Sequence, residues 1–460
     1  MRPFPVLAAA VAAAVTLVAA GPAAAATWTA AATVSAPHTF INGLEAGASG
    51  NGTVVSDWGF QDGAGSGSTA GVRGGSLPPG AAAFGGQRTL PGDTLRVLPY
   101  AQRSVAALIF RRGAAASGDR LSVAFGAADG PTLGTARTVV TEQIAFLPSF
   151  SMASDGTGLL AWIARASGSR RVVKVSLRAP GGRFGAPSII SGTGRANSIT
   201  AAVGPQGQRL VAFEKGGRLL ARYRRQGGTW GPLQDLGAVA SGTDNQLAAL
   251  VTSGGRAIVA DVHRQLTEGG DTGPLLVDGW VQPVGASRFR AGQRLEQADG
   301  VAASPPALVP VESRSAVLAW AGGDPGAPPA SDGPSTRVKV SVMGDDGRFG
   351  APQPLSAASQ PVKGVAAAAQ GGVALVSWIR IDPISDGDGQ VLAALRVPFG
   401  AFGAPEEVSP HENAAATAPA FTGAPAARPL VLWSARPAGE GPGVPLAQIR
   451  TFVRVAQRQP

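Results

Sequence analysis

The sequence predicts an all-β fold: an eight-bladed β-propeller with four antiparallel strands per blade, its N-terminal strand closing the last blade. Three observations lead there. The phrase Arg183-Phe184-Gly185-Ala186-Pro187 returns as Arg348-Phe349-Gly350-Ala351-Pro352 and as Ala401-Phe402-Gly403-Ala404-Pro405, with looser copies at Thr229-Trp230-Gly231-Pro232 and Ala83-Phe84-Gly85-Gly86. A phrase returning at about fifty-residue intervals marks a propeller or an array. Second, each repeat reads as four short strands punctuated by Gly and Pro, the pattern of a propeller blade. Third, the aromatics fall into two series. One holds Trp28, Phe84, Phe184, Trp230, Phe289, Phe349 and Phe402, with Leu133 as a stand-in. The other holds Trp58, Phe110, Trp162, Phe213, Trp320, Trp378 and Trp433, each following its first-series partner at a nearly constant offset. Only the fifth repeat lacks the second aromatic, carrying Ile258-Val259-Ala260-Asp261 instead. Aromatics at such regular places are filler between blades.

Within a repeat, the strand beginning at the F-G-A-P phrase is expected to be outermost, with Gly and Pro setting an edge turn. An alanine-rich strand follows, as at 201–203, 248–250 and 365–369, and its small side chains suit the crowded axis. Next come a strongly apolar strand and an alternating one such as 172–177; the arginines of the alternating strands suit the outer face. The last repeat ends in 446–455 with no fourth strand after it, while 28–34 has no partner before it. Pairing the two closes the ring and leaves no open edge. Seven blades is the alternative if one weak repeat is irregular. Repeat length is uneven, and repeats five to eight and one are the long ones, neighbours once the ring closes. The extra length falls between second and third strands, at 263–273, 321–337, 380–390, 434–445 and 60–68. Insertions on one face of a repeat protein commonly build its binding surface, so one decorated sector is expected.

Residues 1–26 read as a cleaved export signal: Arg2, an apolar run over 6–20, then Ala24-Ala25-Ala26. The remainder, 27–460, reads as a single secreted propeller domain with no further apolar run for stable membrane insertion. No cysteine occurs, which excludes disulfides, a Cys-linked lipid anchor, Cys nucleophiles and Cys-bound metal. The net charge is +10. Its arginines are scattered rather than gathered on one face, which argues against nucleic acid. The excess reflects composition, or a loose affinity for an anionic polymer of the cell envelope. A monomer is expected.

The hairpin Arg225-Gln226-Gly227-Gly228-Thr229-Trp230-Gly231-Pro232 resembles the Asp-box (S-x-D-x-G-x-T-W), the turn between third and fourth strands of sialidase-like propellers, and Met343-Gly344-Asp345-Asp346-Gly347-Arg348-Phe349 looks like a shortened copy. The resemblance covers the chain as a style of repeat and implies the fold. The aspartate is missing from most copies. Sialidases use an arginine triad, a tyrosine paired with a glutamate, and an acid/base carboxylate. Neither Tyr100 nor Tyr223 sits in that family's pattern, so no catalytic residue is carried over.

The candidate binding residues are those that break the repeat. His38 follows Val34-Ser35-Ala36-Pro37, and His411, with Glu412 beside it, follows Val408-Ser409-Pro410. These are equivalent places in blades that become neighbours when the ring closes. His263 is expected to open the long loop of repeat five on the same face. Such a gathering of imidazole and carboxylate binds a metal or moves protons, or it is only a repeat echo. Asp57 and Asp261 are the carboxylates of second strands, either facing a cleft between blades or bonded to backbone. Paired at about 5 or 9 Å they would suit glycoside hydrolysis. The run 382–389, with Asp386 and Asp388, could wrap calcium or form a solvated hairpin tip. No other cofactor is expected. The leading expectation is a non-enzymatic binding or scaffold protein of the cell envelope, with a glycan or anionic polymer as partner on the decorated face. The alternatives are a glycoside hydrolase or lyase using Asp, Glu and His there, and a lectin with shallow sites between blades.

Overall fold

The structure, a computed structural model, describes residues 27–459 apart from 39, 49–51, 63–68, 82, 86–87, 92, 101–103, 115–116, 167–169, 240–245, 267–271, 299–304, 324–335, 358–359, 382–388, 410–411, 423–427 and 437–449. Its strands form eight blades of four. Blade one is β2 (Phe40–Ala48), β3 (Val54–Asp62), β4 (Thr69–Leu77) and β5 (Arg88–Leu90). Blade two is β6 (Thr94–Tyr100), β7 (Ser104–Arg111), β8 (Asp119–Ala127) and β9 (Arg137–Glu142). Blade three is β10 (Ser149–Met152), β11 (Gly158–Arg165), β12 (Arg171–Arg178) and β13 (Ser188–Ile189). Blade four is β14 (Ala196–Val203), β15 (Arg209–Lys215), β16 (Arg218–Arg224) and β17 (Gln234–Ala238). Blade five is β18 (Gln246–Val251), β19 (Ala257–Leu266), β20 (Thr272–Gln282) and β21 (Gln293–Ala298). Blade six is β22 (Ala307–Pro310), β23 (Ala316–Gly323), β24 (Thr336–Met343) and β25 (Gln353–Pro354). Blade seven is β26 (Val362–Gln370), β27 (Val373–Ile381), β28 (Gly389–Arg396) and β29 (Glu406–Glu407). Blade eight is β30 (Asn413–Phe421), β31 (Pro429–Arg436), β32 (Phe452–Gln457) and, from the other end of the chain, β1 (Ala32–Thr33).

Ring closure follows the expected pairing. Ala32 pairs with Val455 and Thr33 with Arg454, flanked by single bridges from Trp28 to Arg458 and from His38 to Thr451. Each blade's first strand touches the first strands of its neighbours around the axis. Second strands such as β23 are buried along their whole length. Blades cover both of their faces, so they read as continuous apolar runs rather than alternating ones.

Two details differ from expectation. The F-G-A-P phrase is the hairpin before the outermost strand, which starts just after it, at Ser188, Gln353 and Glu406. The aromatic bridges to the end of the third strand, Phe184 to Arg178 and Phe402 to Arg396. The following glycine donates its N–H to that strand, Gly185 to the Leu177 carbonyl and Gly403 to that of Leu395, both at 2.9 Å. Pro187, Pro352 and Pro405 lack an N–H and so suit the rim, where no further strand pairs. The arginine-bearing alternating strands are third in each blade, one place in from the rim.

Blades are joined by a recurring polar clamp set among the apolar contacts. Trp162 Nε1 donates to Glu142 Oε1 of the preceding blade at 2.6 Å, and Lys174, opposite Trp162 on β12, donates to Oε2 of the same carboxylate. Trp320, Glu296 and Lys339 repeat the arrangement. At Glu412 the Trp433 indole donates at 3.0 Å, and Arg454 Nε, opposite Trp433, forms an ion pair at 3.5 Å without a hydrogen bond. The second-strand aromatics on β3, β11, β15, β23, β27 and β31 pack toward the preceding blade. Phe110 is the exception and faces blade three. Side chains alternate along a strand, and on β7 it is Val105 and Ala107 that face blade one, which leaves Phe110 on the other side.

Glu296→Ala should leave the Trp320 indole buried without an acceptor and Lys339 without its counter-charge, holding only the Gly323 carbonyl. We expect it to lower the unfolding free energy by about 3 kcal/mol, whereas Glu45→Ala, which breaks a half-exposed pair, should cost less than about 1 kcal/mol. Urea titration of the two variants measures both.

Candidate functional site

Antiparallel strands divide the turns between two faces. The first-to-second and third-to-fourth turns open on one face, called here the hairpin face. The second-to-third loops and the blade-to-blade connections open on the other. The strand ends flanking the five long insertions lie at the second face, because those strands, such as β23 with β24 and β31 with β32, are second and third in their blades; 63–68, 267–271, 324–335, 382–388 and 437–449 themselves lie outside the described residues.

His38 and Glu412 lie at that second face, each just before a first strand. His38 is buried, stacks on Phe60 with centroids 4.4 Å apart, and places Nδ1 3.0 Å from Asp62 Oδ2. Glu412 serves the clamp at Trp433. His411, Asp386 and Asp388 lie outside the described residues. Among the described residues, no three His, Cys, Asp or Glu side chains gather as a metal site.

His263 differs from expectation. It lies inside β19, opposite Leu276 and 3 % exposed, rather than at the opening of a loop. β19 and β20 extend further than their counterparts, at 10 and 11 residues, and carry it inward. Its Nδ1 approaches Asp261 Oδ2 to 2.9 Å, and Asp261 is wholly buried. The angles do not make a hydrogen bond, so both Asp261 oxygens lack one among the described residues. Asp261 stands where other blades place the core aromatic. Opposite it, Asp278 occupies the place that Lys174 and Lys339 take in blades three and six. Arg294 Nε reaches Asp278 at 2.6 Å and leads this cluster outward. Burial raises the pKa of Asp261 above the usual carboxylate value, and the approach of His263 opposes the rise.

Asp57 faces blade two. Burial pushes its carboxyl well above the ordinary range, and Glu45, its cross-strand neighbour, adds to the rise. Arg96, the Val97 N–H and Arg88 oppose it. Arg96 pairs with Glu45 at 2.9 Å, while buried Arg88 donates to the carbonyls of Ala127 and Ala128. Asp57 and Asp261 belong to blades one and five, on opposite sides of an eight-membered ring, so they do not form a catalytic pair.

The sequence reading missed a cleft on the hairpin face. Blades two and three enclose a cavity of about 770 Å³ there. Tyr100, Phe125 and Phe184 form its apolar part, and Arg137, Arg178 and Arg183 also line it, with no carboxylate among the lining residues. Arg178 is held rigidly. Its guanidinium lies 4.5 Å from the Phe125 ring centre and 5.6 Å from that of Tyr100, and Nη1 donates to the Gly156 carbonyl. Gly156 permits this approach: its φ is +86°, and a β-carbon there would meet Arg178 Nη1 at 3.0 Å. Arg137 and Arg183 are exposed. A sequence signal did exist. Arg178, Arg224 and Arg396 each precede a first-series aromatic by the same spacing and bridge to it.

No protein-family model matches the chain, and no curated protein sequence matches it. Among solved structures it is similar to an ulvan lyase, a polysaccharide lyase, at 10% identity and a TM-score of 0.43, covering 83% of this chain and 95% of that one. The propeller domain of the trilobed protease from Pyrococcus furiosus matches at 10% identity and 0.40, covering 78% and 92%. An intramolecular trans-sialidase from Ruminococcus gnavus matches at 11% and 0.38, covering 91% and 94%. The blade count rests on the strand pairing above.

The raised pKa of Asp57 sets the sign of a pH effect. Below the unfolded-state value near 4 the group is protonated in both states and costs nothing. As pH rises, the unfolded chain ionises first and the fold loses stability until the folded-state pKa is passed. Asp57→Asn should therefore stabilise the protein at pH 7 by about 1 kcal/mol or more, with the gain vanishing below about pH 4. Denaturant unfolding across pH measures it.

Proposed function

We propose that this is a secreted, non-enzymatic binding propeller of the cell envelope whose ligand is an anionic glycan held in the arginine cleft between blades two and three. The observation that carries the reading is the cleft itself: three arginines and three aromatic rings around about 770 Å³, without a lining carboxylate. A guanidinium matches carboxylate and sulfate geometry with paired donors, and its hydration is weak enough to be displaced. Rings beside it offer a flat apolar face to a sugar. The side chains of Arg137 and Arg183 make no hydrogen bond or ion pair with a described residue and are exposed, which leaves their donors available. The overall charge of +10 would draw a polyanion toward the protein and make binding sensitive to salt.

A second reading is hydrolysis. Asp57, whose carboxyl pKa is raised by burial, lies beside the Glu45–Arg96 pair, and a weak acid next to a carboxylate is the combination that glycosidases use. Loss of any glycan-cleaving activity in Asp57→Asn would support it.

For the leading reading, the purified protein should bind carboxylated or sulfated polysaccharides such as polygalacturonate or dextran sulfate. Arg137→Ala with Arg183→Ala should weaken binding by about tenfold or more, and raising salt from about 50 to 300 mM should weaken it further. Wild-type indifference to both polymers, or a double variant that binds as before, would overturn it. Calorimetric titration reads each outcome.

A further inference from the structure

A second opening lies on the hairpin face, nearer the axis. The first-to-second turns of blades four to seven and the third-to-fourth turn of blade seven line a cavity of about 520 Å³, a size typical of ligand pockets. Val251, Pro310 and Pro398 give it apolar walls, Glu312 and Gln370 supply polar groups, and Phe399 stands at its edge.

Phe399 is anomalous twice over. It is 86 % exposed, more than any other large hydrophobic side chain described. It also has φ +59°, the only described residue other than glycine at positive φ. The equivalent turns show what belongs there. In Ala179-Pro180-Gly181-Gly182 and Arg225-Gln226-Gly227-Gly228 the third residue is glycine, with φ of +68° and +65°. In all three turns the fourth residue's N–H bonds the first residue's carbonyl, at 3.0 to 3.1 Å. This is the turn that calls for glycine at its third place. Blade seven instead holds a bulky aromatic in a strained conformation and presents its ring to solvent. Neither strain nor exposure helps the fold, and strain of this kind persists where it serves a site.

Glu312 gives an independent observation. Its Oε2 accepts from Ser315 Oγ at 2.9 Å, but Oε1 lies 3.9 Å from Arg396 Nη1 and has no hydrogen bond. Oε1 is buried against its charge partner Arg396, and the carboxylate as a whole is half-buried in the wall of the pocket. No arginine lines this opening, so it differs in kind from the arginine cleft.

We propose that the pocket binds a neutral sugar ring stacked on Phe399. A pyranose has a face of C–H groups for the phenyl ring and hydroxyls for the carboxylate of Glu312 and the amide of Gln370. A wholly apolar ligand would desolvate those two groups without replacing their hydrogen bonds. The site stands apart from the anionic-glycan reading and does not require it.

The test titrates the purified protein with cellotriose, maltotriose, mannotriose and chitotriose. At least one should bind. Phe399→Gly should weaken that binding by about tenfold or more while raising the Tm by a few degrees, because glycine relieves the turn. Glu312→Gln should also weaken it. Arg137→Ala with Arg183→Ala should leave it unchanged, so failure of the anionic reading would remain visible separately. The proposal falls if none of the four sugars binds at about 10 mM, or if Phe399→Gly binds as the wild type does. It falls equally if no sugar binds and Phe399→Gly converts a self-associating wild type to monomer, since the face would then dock another copy of the chain.

Discussion

The contact on which this ring depends is the seam between blades. Nearly every second strand sends an aromatic onto the blade before it, and in three blades that aromatic shares a carboxylate with a cation on the adjacent strand. The apolar part of the seam supplies the driving force. The carboxylate supplies specificity, because Glu142, Glu296 and Glu412 each accept from an indole N–H and pair with a cation placed by strand register, which in the first two also donates a hydrogen bond. A seam slipped by one residue would turn every side chain of the strand to the wrong face and leave both donors buried without an acceptor. The ring is therefore held in a single register, and sites built between blades inherit that rigidity.

Much of this was legible because the seam repeats. Trp162, Trp320, Trp378 and Trp433 announce the second strands by spacing alone. The partnerless strand near Trp28 told where the ring closes. Two features were misplaced because spacing does not encode strand length or parity. His263 looked like a loop residue because nothing in the sequence says how far β19 extends. Phe110 looked like its counterparts because a regular spacing does not say which side of β7 it takes.

The candidate sites were less legible for a related reason. They are places where a repeated position is occupied by the wrong kind of residue. Asp261 in the slot of a core aromatic could be seen in the sequence. Phe399 in the slot of a turn glycine could not, since only the backbone torsion identifies the slot. The arginine cleft combines residues from two blades, Arg137 from one and Arg178 and Arg183 from the next, which no linear spacing brings together. The long insertions are the plainest irregularity in the sequence, and the strand ends that flank them lie on the face opposite to both cavities.

The closing strand has a kinetic consequence. β1 is two residues long, and its partner β32 lies at the other end of the chain. Every other blade is assembled from consecutive residues and can form as the chain emerges. Blade eight must wait for the last strand, and until it forms the first and last blades each present an unprotected flank. Closure of so distant a pair is slow, because loop entropy must be overcome before any contact rewards it. The completed ring reverses that disadvantage. β1 itself lies exposed at the rim, and the seam between blades one and eight is held by buried side chains such as Trp58, Leu430 and Leu432, which must separate before the ring can open.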